Sequence, residues 1–165
     1  MISPHSDNDR TFLRPATAND VPALIDIARR AWLCAYYELA PIEAIRDWVA
    51  DDFEGKWYPT HWPEMTVAAI ADQPVGLVQP EKDSISGLWV HPKFHRRGIG
   101  SHLLRSGEDE IRKMGYQRVH LCCGYWNSVA PEFYRSQGYK QVGVEKEVLP
   151  SGIEQKLIVF ERMLE

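Results

Sequence analysis

The stretch Leu88-Trp89-Val90-His91-Pro92-Lys93-Phe94-His95-Arg96-Arg97-Gly98-Ile99-Gly100-Ser101-His102-Leu103-Leu104 constrains this chain more than any other. Apolar residues suited to a buried strand run up to a proline, a basic loop punctuated by glycine follows, and helical spacing then begins. Gly98 and Gly100 let the main chain come close to a ligand with no Cβ in the way, and they tolerate the positive φ that such a loop tends to need. The helix that follows leaves its first N–H groups without internal partners and sets the positive end of its dipole at the same point. Together they suit a phosphate or pyrophosphate, with Arg96 and Arg97 adding charge. Two common fingerprints are excluded: there is no GxxxxGK[ST], and GxGxxG would need glycine where Leu103 stands. On spacing alone, an ordinary strand-turn-helix with glycine at the turn is the competing reading.

The run from Val90 to Gly100 resembles the pyrophosphate loop of the GNAT superfamily of CoA-dependent N-acyltransferases, V-x-P-x-x-[QR]-x-x-G-x-[GA]. Its one departure is His95, where Gln or Arg is usual. Downstream, Asn127-Ser128-Val129-Ala130-Pro131-Glu132-Phe133-Tyr134-Arg135-Ser136-Gln137-Gly138-Tyr139 is similar to the family's N-x-x-A-x-x-F-Y-x-x-x-G-[FY] segment, at the family's separation from the first. The resemblance implies an α/β (α+β) domain: a mixed, mostly antiparallel seven-stranded twisted sheet flanked by about four helices and splayed between strands four and five. It also implies acetyl-CoA as cosubstrate, with an amine acceptor attacking directly in a ternary complex.

Composition sets the remaining bounds. At 165 residues the chain can bury one full core, so residues 10–165 are expected to form a single N-acetyltransferase domain and residues 1–9 to be disordered. No apolar run approaches the roughly 18 residues of a spanning helix, and Met1 to Asn8 carries no apolar signal core; a cytoplasmic protein without membrane contact is expected. Three cysteines, Cys34, Cys122 and Cys123, are odd in number and lack CxxC spacing, and the six histidines form no HExxH, so neither a disulfide framework nor a metal is expected. A net charge of −4 argues against nucleic acid as partner and permits a cationic acceptor. Monomer and homodimer both stay open.

In chain order, Thr11 to Pro15 reads as a strand, and Arg14-x-Ala16-x-x-x-Asp20 resembles the opening of many GNAT chains. Asn19 or Asp20 can cap a helix carrying Val21, Leu24, Ile25, Ala28, Ala31, Trp32 and Ala35 at helical spacing. A second amphipathic helix starts at Pro41 and runs through Ile42, Ile45, Trp48 and Val49 to Asp52 or Phe53. Trp57 to Pro63 is too rich in proline and aromatics for regular structure, which leaves a loop pinned over the core or a wall of the acceptor pocket. Strands follow at Met65–Ala71, Val75–Gln79 and Ser84–Val90. A helix from Ile99 buries Leu103, Leu104, Ile111 and Met114 and stops at Lys113 and Gly115. Val119–Gly124 is a strand parallel to the previous one, since a helix connects them. A helix with Ser128 as cap and Pro131 in its first turn comes next, then a hairpin of Tyr139–Leu149 and Ile153–Met163.

Acyl transfer to an amine needs a deprotonated amine, donors for the carbonyl oxygen as it gains charge, and a proton for the departing thiolate. By the resemblance, Tyr134 supplies that proton; its competing reading is a core aromatic one turn beyond Ala130. Also by resemblance, the backbone of Leu88, Trp89 and Val90 pairs with the pantetheine arm and polarises the thioester, while His95, Arg96, Arg97, Gly98, Ile99, Gly100, Ser101 and Asn127 hold the rest of the cofactor. Asn127 can equally be a capping or turn residue. Some relatives place a glutamate early in strand four or on strand five, where this chain has Ser84 and Cys122. His120, on the face of Cys122 and about 6.6 Å along the strand, is the candidate base; its competing reading is a histidine satisfied beside the sheet. A nucleophilic Cys122 or Cys123 would have no identifiable acid or base beside it. The acceptor is a small-molecule amine or a protein or peptide amine, and a non-catalytic acyl-CoA sensor is the rival from another class.

Overall fold

A computed structural model describes residues 10–165 of the chain; the expectation for residues 1–9 lies outside the described residues. Seven strands make one sheet: β1 (Thr11–Pro15), β2 (Thr66–Ile70), β3 (Gln73–Glu81), β4 (Ser84–Val90), β5 (Arg118–Gly124), β6 (Lys140–Val148) and β7 (Glu154–Met163). Their order is β1-β2-β3-β4-β5-β7-β6. Neighbours are antiparallel except β4 and β5, between which helix α4 (Ile99–Lys113) returns the chain. A strand-helix-strand crossover requires that parallel pairing. β4 and β5 are in register only at Ser84 and His120, where the His120 N–H donates to the Asp83 carbonyl at 3.0 Å. Beyond that join the strands part, which is the splay the sequence implied.

Alternation along the strands builds a core on each face. Val67 and Leu77 pack with Leu24 and Ala28 of α1 (Val21–Tyr36), while Ala68 and Val78, their neighbours in sequence, pack with Leu103, Leu104 and Ile111 of α4. Truncating one of these leucines to alanine should cost about 2–5 kcal/mol. Gly107 is small for the same reason, since a Cβ there would lie 2.7 Å from Ile85 Cδ1. Glu108, 4% exposed on α4, accepts from Arg162 of β7 at 3.1 Å and from the Tyr139 hydroxyl at 2.8 Å, tying the helix to the far half of the sheet. Met114 does not join this core as expected but is exposed. Ile111 is the last inward residue, and Gly115 at φ +94° turns the chain away just after Met114.

The region expected to be one helix and a loop is two helices, α2 (Ile42–Asp51) and α3 (Phe53–His61), meeting at Asp52, whose φ is +48°. Trp57 to His61 is therefore helical, although Pro59 lies inside α3, and only Trp62–Glu64 is a short 3-10 turn. Burial overrides the proline: Tyr58 is 2% exposed in the α1 core. Phe53, Trp57 and His61, spaced by four, also stack in sequence along one helix face. No helix among the described residues is long and apolar enough to cross a membrane.

Candidate active site

Where β4 and β5 part, a cleft of about 810 Å³ opens through the sheet. Its lining comes from the end of β4, the loop into α4, the start of α5 (Ala130–Ser136), Cys122 and Cys123 of β5, and the last turns of α1.

The loop is shaped as an anion cradle. Arg96 (φ +59°) and Gly98 (φ +78°) are both left-handed, a backbone setting in which consecutive N–H groups converge on an anion. The first helical bond of α4 runs from the His102 N–H to the Gly98 carbonyl at 3.1 Å, so the N–H groups of Ile99, Gly100 and Ser101 lie ahead of it. Leu88, Trp89, Val90, His95, Arg96, Gly98, Ile99, Gly100 and Ser101 all line the cleft. Arg97 does not; its guanidinium sits over the Phe94 ring at 5.1 Å. The His95 ring explains the departure from the family pattern. Its Nε2 lies 2.8 Å from the Val90 carbonyl, which can only accept, so that nitrogen carries the hydrogen and fastens the loop to the end of β4.

The N-cap position of α5 is Val129, and the side chain that serves the helix start is Asn127, not Ser128. The Asn127 side-chain oxygen accepts from the N–H groups of Val129 and Ala130 at 2.9 and 2.8 Å, the reach of an Asx turn. Ser128 turns the other way, donating its N–H and its hydroxyl to the Ala35 carbonyl at 2.8 and 3.0 Å. Asn127 also lines the cleft. Pro131 falls within the first turn of α5, where its missing N–H is harmless.

Tyr134, one turn along α5, is 7% exposed and lines the cleft, its ring edge-on to Phe133 and Tyr139. None of the described residues bonds its hydroxyl. Since no fully buried side-chain oxygen or nitrogen among them lacks a partner, that hydroxyl reaches the open cleft. Burial, with Cys123 and Tyr36 nearby, pushes the phenol well above its ordinary pKa and keeps it protonated.

His120 lies elsewhere. It stands at the closed end of the splay, with Nδ1 3.4 Å from the Asp83 carboxylate, and is not part of the cleft lining. Cys122 does line the cleft, but burial raises its pKa, and burial pushes Cys123 up to about 12, so both are held as thiols. Trp57 to Pro63 contributes nothing to the lining either; Trp57 and Tyr58 are spent on the α1 core.

Trp32 and Tyr36 of α1 form the wall instead. Tyr36 belongs to neither sequence motif; Gly124, ending a strand, is the sequence sign of a close approach there. Opposite, the tip of the β6–β7 hairpin reaches α2, where the Ser151 N–H and hydroxyl donate to Asp47 at 3.1 and 2.5 Å.

The family model described as "Acetyltransferase (GNAT) family" matches residues 21–139. The chain belongs to the GNAT acetyltransferase family. It is 24% identical over 140 residues to a spermidine N(1)-acetyltransferase of Thermoplasma acidophilum, covering 78% of this chain and 87% of that protein. Its fold matches a GCN5-related N-acetyltransferase from Rhodopseudomonas palustris with a TM-score of 0.81 at 21% identity, covering 94% of this chain and 97% of that one. The PaiA N-acetyltransferase of T. acidophilum, solved in complex with coenzyme A, superposes with a TM-score of 0.75 at 19% identity, covering 93% of this chain and 99% of that one. This GNAT chain is thus an acyltransferase.

Proposed function

We propose that residues 10–165 act as one domain that transfers an acetyl group from acetyl-CoA to a primary amine of a small molecule, by direct attack within a ternary complex. The observation that carries this reading is the protonated Tyr134 hydroxyl, without a partner among the described residues, in a cleft whose rim is an anion cradle.

The residues present fit acetyl-CoA. The N–H groups at the start of α4 and Arg96 take the pyrophosphate, Asn127 shapes the turn beside it, and the edge of β4 from Leu88 to Val90, freed by the splay, takes the pantetheine arm. In the reaction a C–N bond forms, the C–S bond breaks, and one proton passes in net terms from nitrogen to sulfur. Tyr134 delivers the proton to the thiolate and recovers one through cleft water. No carboxylate occupies Ser84 or Cys122, and His120 is at the closed end, so the acceptor's own ionisation provides the free amine.

A small amine is favoured because the hairpin tip is tied to α2 by Ser151 and Asp47, which bridges the space a peptide strand would need. The spermidine acetyltransferase among the relatives acts, by its name, on a small alkyl amine. A thiol-release assay with acetyl-CoA against alkyl amines, spermidine among them, and against peptides tests this. Release with the alkyl amines is expected; binding of acetyl-CoA with no release to any acceptor would make the chain a sensor.

A further inference from the structure

We infer that Tyr36 is a second catalytic hydroxyl of the cleft, donating a hydrogen bond to the thioester carbonyl oxygen as that oxygen gains charge. The inference rests on the acetyl-CoA reading above. It concerns the wall contributed by α1, which lies outside both sequence motifs.

The Tyr36 oxygen has a built seat. It accepts the Gly124 N–H at 3.0 Å, and a Cβ on residue 124 would lie 2.6 Å from it, so this strand end must be glycine for the phenol to sit there. The ring is clamped from behind: Tyr36 stacks on Trp32 at 4.5 Å and Trp32 on Trp48 at 4.0 Å, both within 9° of parallel. Trp48 in turn donates to the buried Glu54 at 3.3 Å. The two bonds from Ser128 to the Ala35 carbonyl pin the adjacent residue to the same β5–α5 junction. A donor held this firmly needs no reorganisation when charge develops, which is what makes such donors effective.

With its oxygen engaged by the Gly124 N–H, what Tyr36 has left to offer is its proton, and no described residue accepts it. Burial raises the phenol's pKa, only partly offset by the Gly124 N–H and the Asn127 side chain, so the proton stays on. The shared opening sets what it faces. Tyr36, Gly124 and the β4 residues Gly87, Leu88 and Trp89 all line one cleft. The hydroxyl is seated on the β5 side of that cleft, at Gly124. Tyr36 therefore faces the β4 segment along which the thioester lies. Tyr134 serves the sulfur and Tyr36 the carbonyl oxygen; the Tyr36 O–H bond stays intact throughout.

The test is Tyr36→Phe, which keeps the ring stack and removes the donor. The expected result is a fall in kcat of about 10²-fold, the scale for one oxyanion donor, with the KM for acetyl-CoA little changed. Without acceptor, the infrared carbonyl band of ¹³C-labelled acetyl-CoA, shifted to lower frequency on the parent protein, should move back toward its free position on the variant. A lower melting temperature with kcat and band unchanged would make Tyr36 purely structural and overturn the inference. Should Tyr36→Phe not fold, Gly124→Ala, which pushes the hydroxyl from its seat, must give the same losses. Failure of the parent protein to bind acetyl-CoA would overturn the acetyl-CoA reading and this inference together, whereas a fully active Tyr36→Phe overturns this inference alone.

Discussion

Ser151 and Asp47, separated by 104 positions, are joined by two hydrogen bonds to a single carboxylate oxygen, so the tip of the last hairpin is fastened to α2. Both groups are exposed, and hydrogen bonds to a charged partner are worth about 1.5–3 kcal/mol at most. The contact therefore restrains the hairpin without supporting the fold. Asp47→Ala should leave the melting temperature within a degree or two and raise the KM for a small amine several-fold, with the KM for acetyl-CoA unchanged. Steady-state kinetics with each substrate varied in turn checks this; equal KM values for the amine would remove the hairpin from acceptor binding.

The first strand and first helix are locked by a different pair. Arg14 binds the Asp20 carboxylate with two nitrogens, at 2.7 and 2.9 Å, and the Thr17 N–H adds a third bond at 2.8 Å. Asp20 stands at the N-cap of α1, one of the two positions expected, but its side chain reaches back to Thr17 and not into the helix. The Arg14 guanidinium foremost, with the Thr17 N–H, lowers the Asp20 pKa to about 2 against the resistance of burial. A folded-state value below the unfolded one gives stability that is complete above about pH 4 and lost as pH falls from about 4 to about 2. The contribution is on the order of 2 kcal/mol. Denaturant unfolding of Asp20→Asn and the parent should differ at pH 6 and converge near pH 2; a difference independent of pH would refute the ion-pair account.

Loop 95–101 makes a prediction in which stability and binding move in opposite directions. Arg96 is left-handed without being glycine, a strain of about 1–2 kcal/mol. Arg96→Gly should therefore raise the melting temperature by a few degrees while weakening CoA binding several-fold through loss of the charge. Gly98→Ala, with open space around the new methyl but the same φ constraint, should lower both. Calorimetric titration with CoA beside thermal melts separates the two effects; parallel changes in Arg96→Gly would mean the residue serves only the fold.

The legible parts of this chain were those encoded locally. β4, the loop, α4 and the parallel β5 follow from apolar runs, a proline and the two loop glycines between Ser84 and Gly124. What stayed hidden depends on contacts distant in sequence. Pro59 argued against a helix, yet the burial of Tyr58 under α1 outweighed it. Ser128 looked like a cap until the Ala35 carbonyl claimed it. Tyr36 could not be placed in the cleft without Gly124, 88 residues away. His120 shares a strand face with Cys122, but alternation cannot tell the closed end of a splay from the open one.

The central claim is that the Tyr134 hydroxyl protonates the departing thiolate, and single-turnover acetyl transfer by Tyr134→Phe at saturating acetyl-CoA measures it directly. The ring, its packing against Phe133 and Tyr139, and the affinity for acetyl-CoA should persist, while the rate constant for the chemical step falls by about 10²-fold, within the range for one general acid. A rate constant equal to that of the parent protein, with chemistry rate-limiting in both, would contradict the account and return Tyr134 to the core.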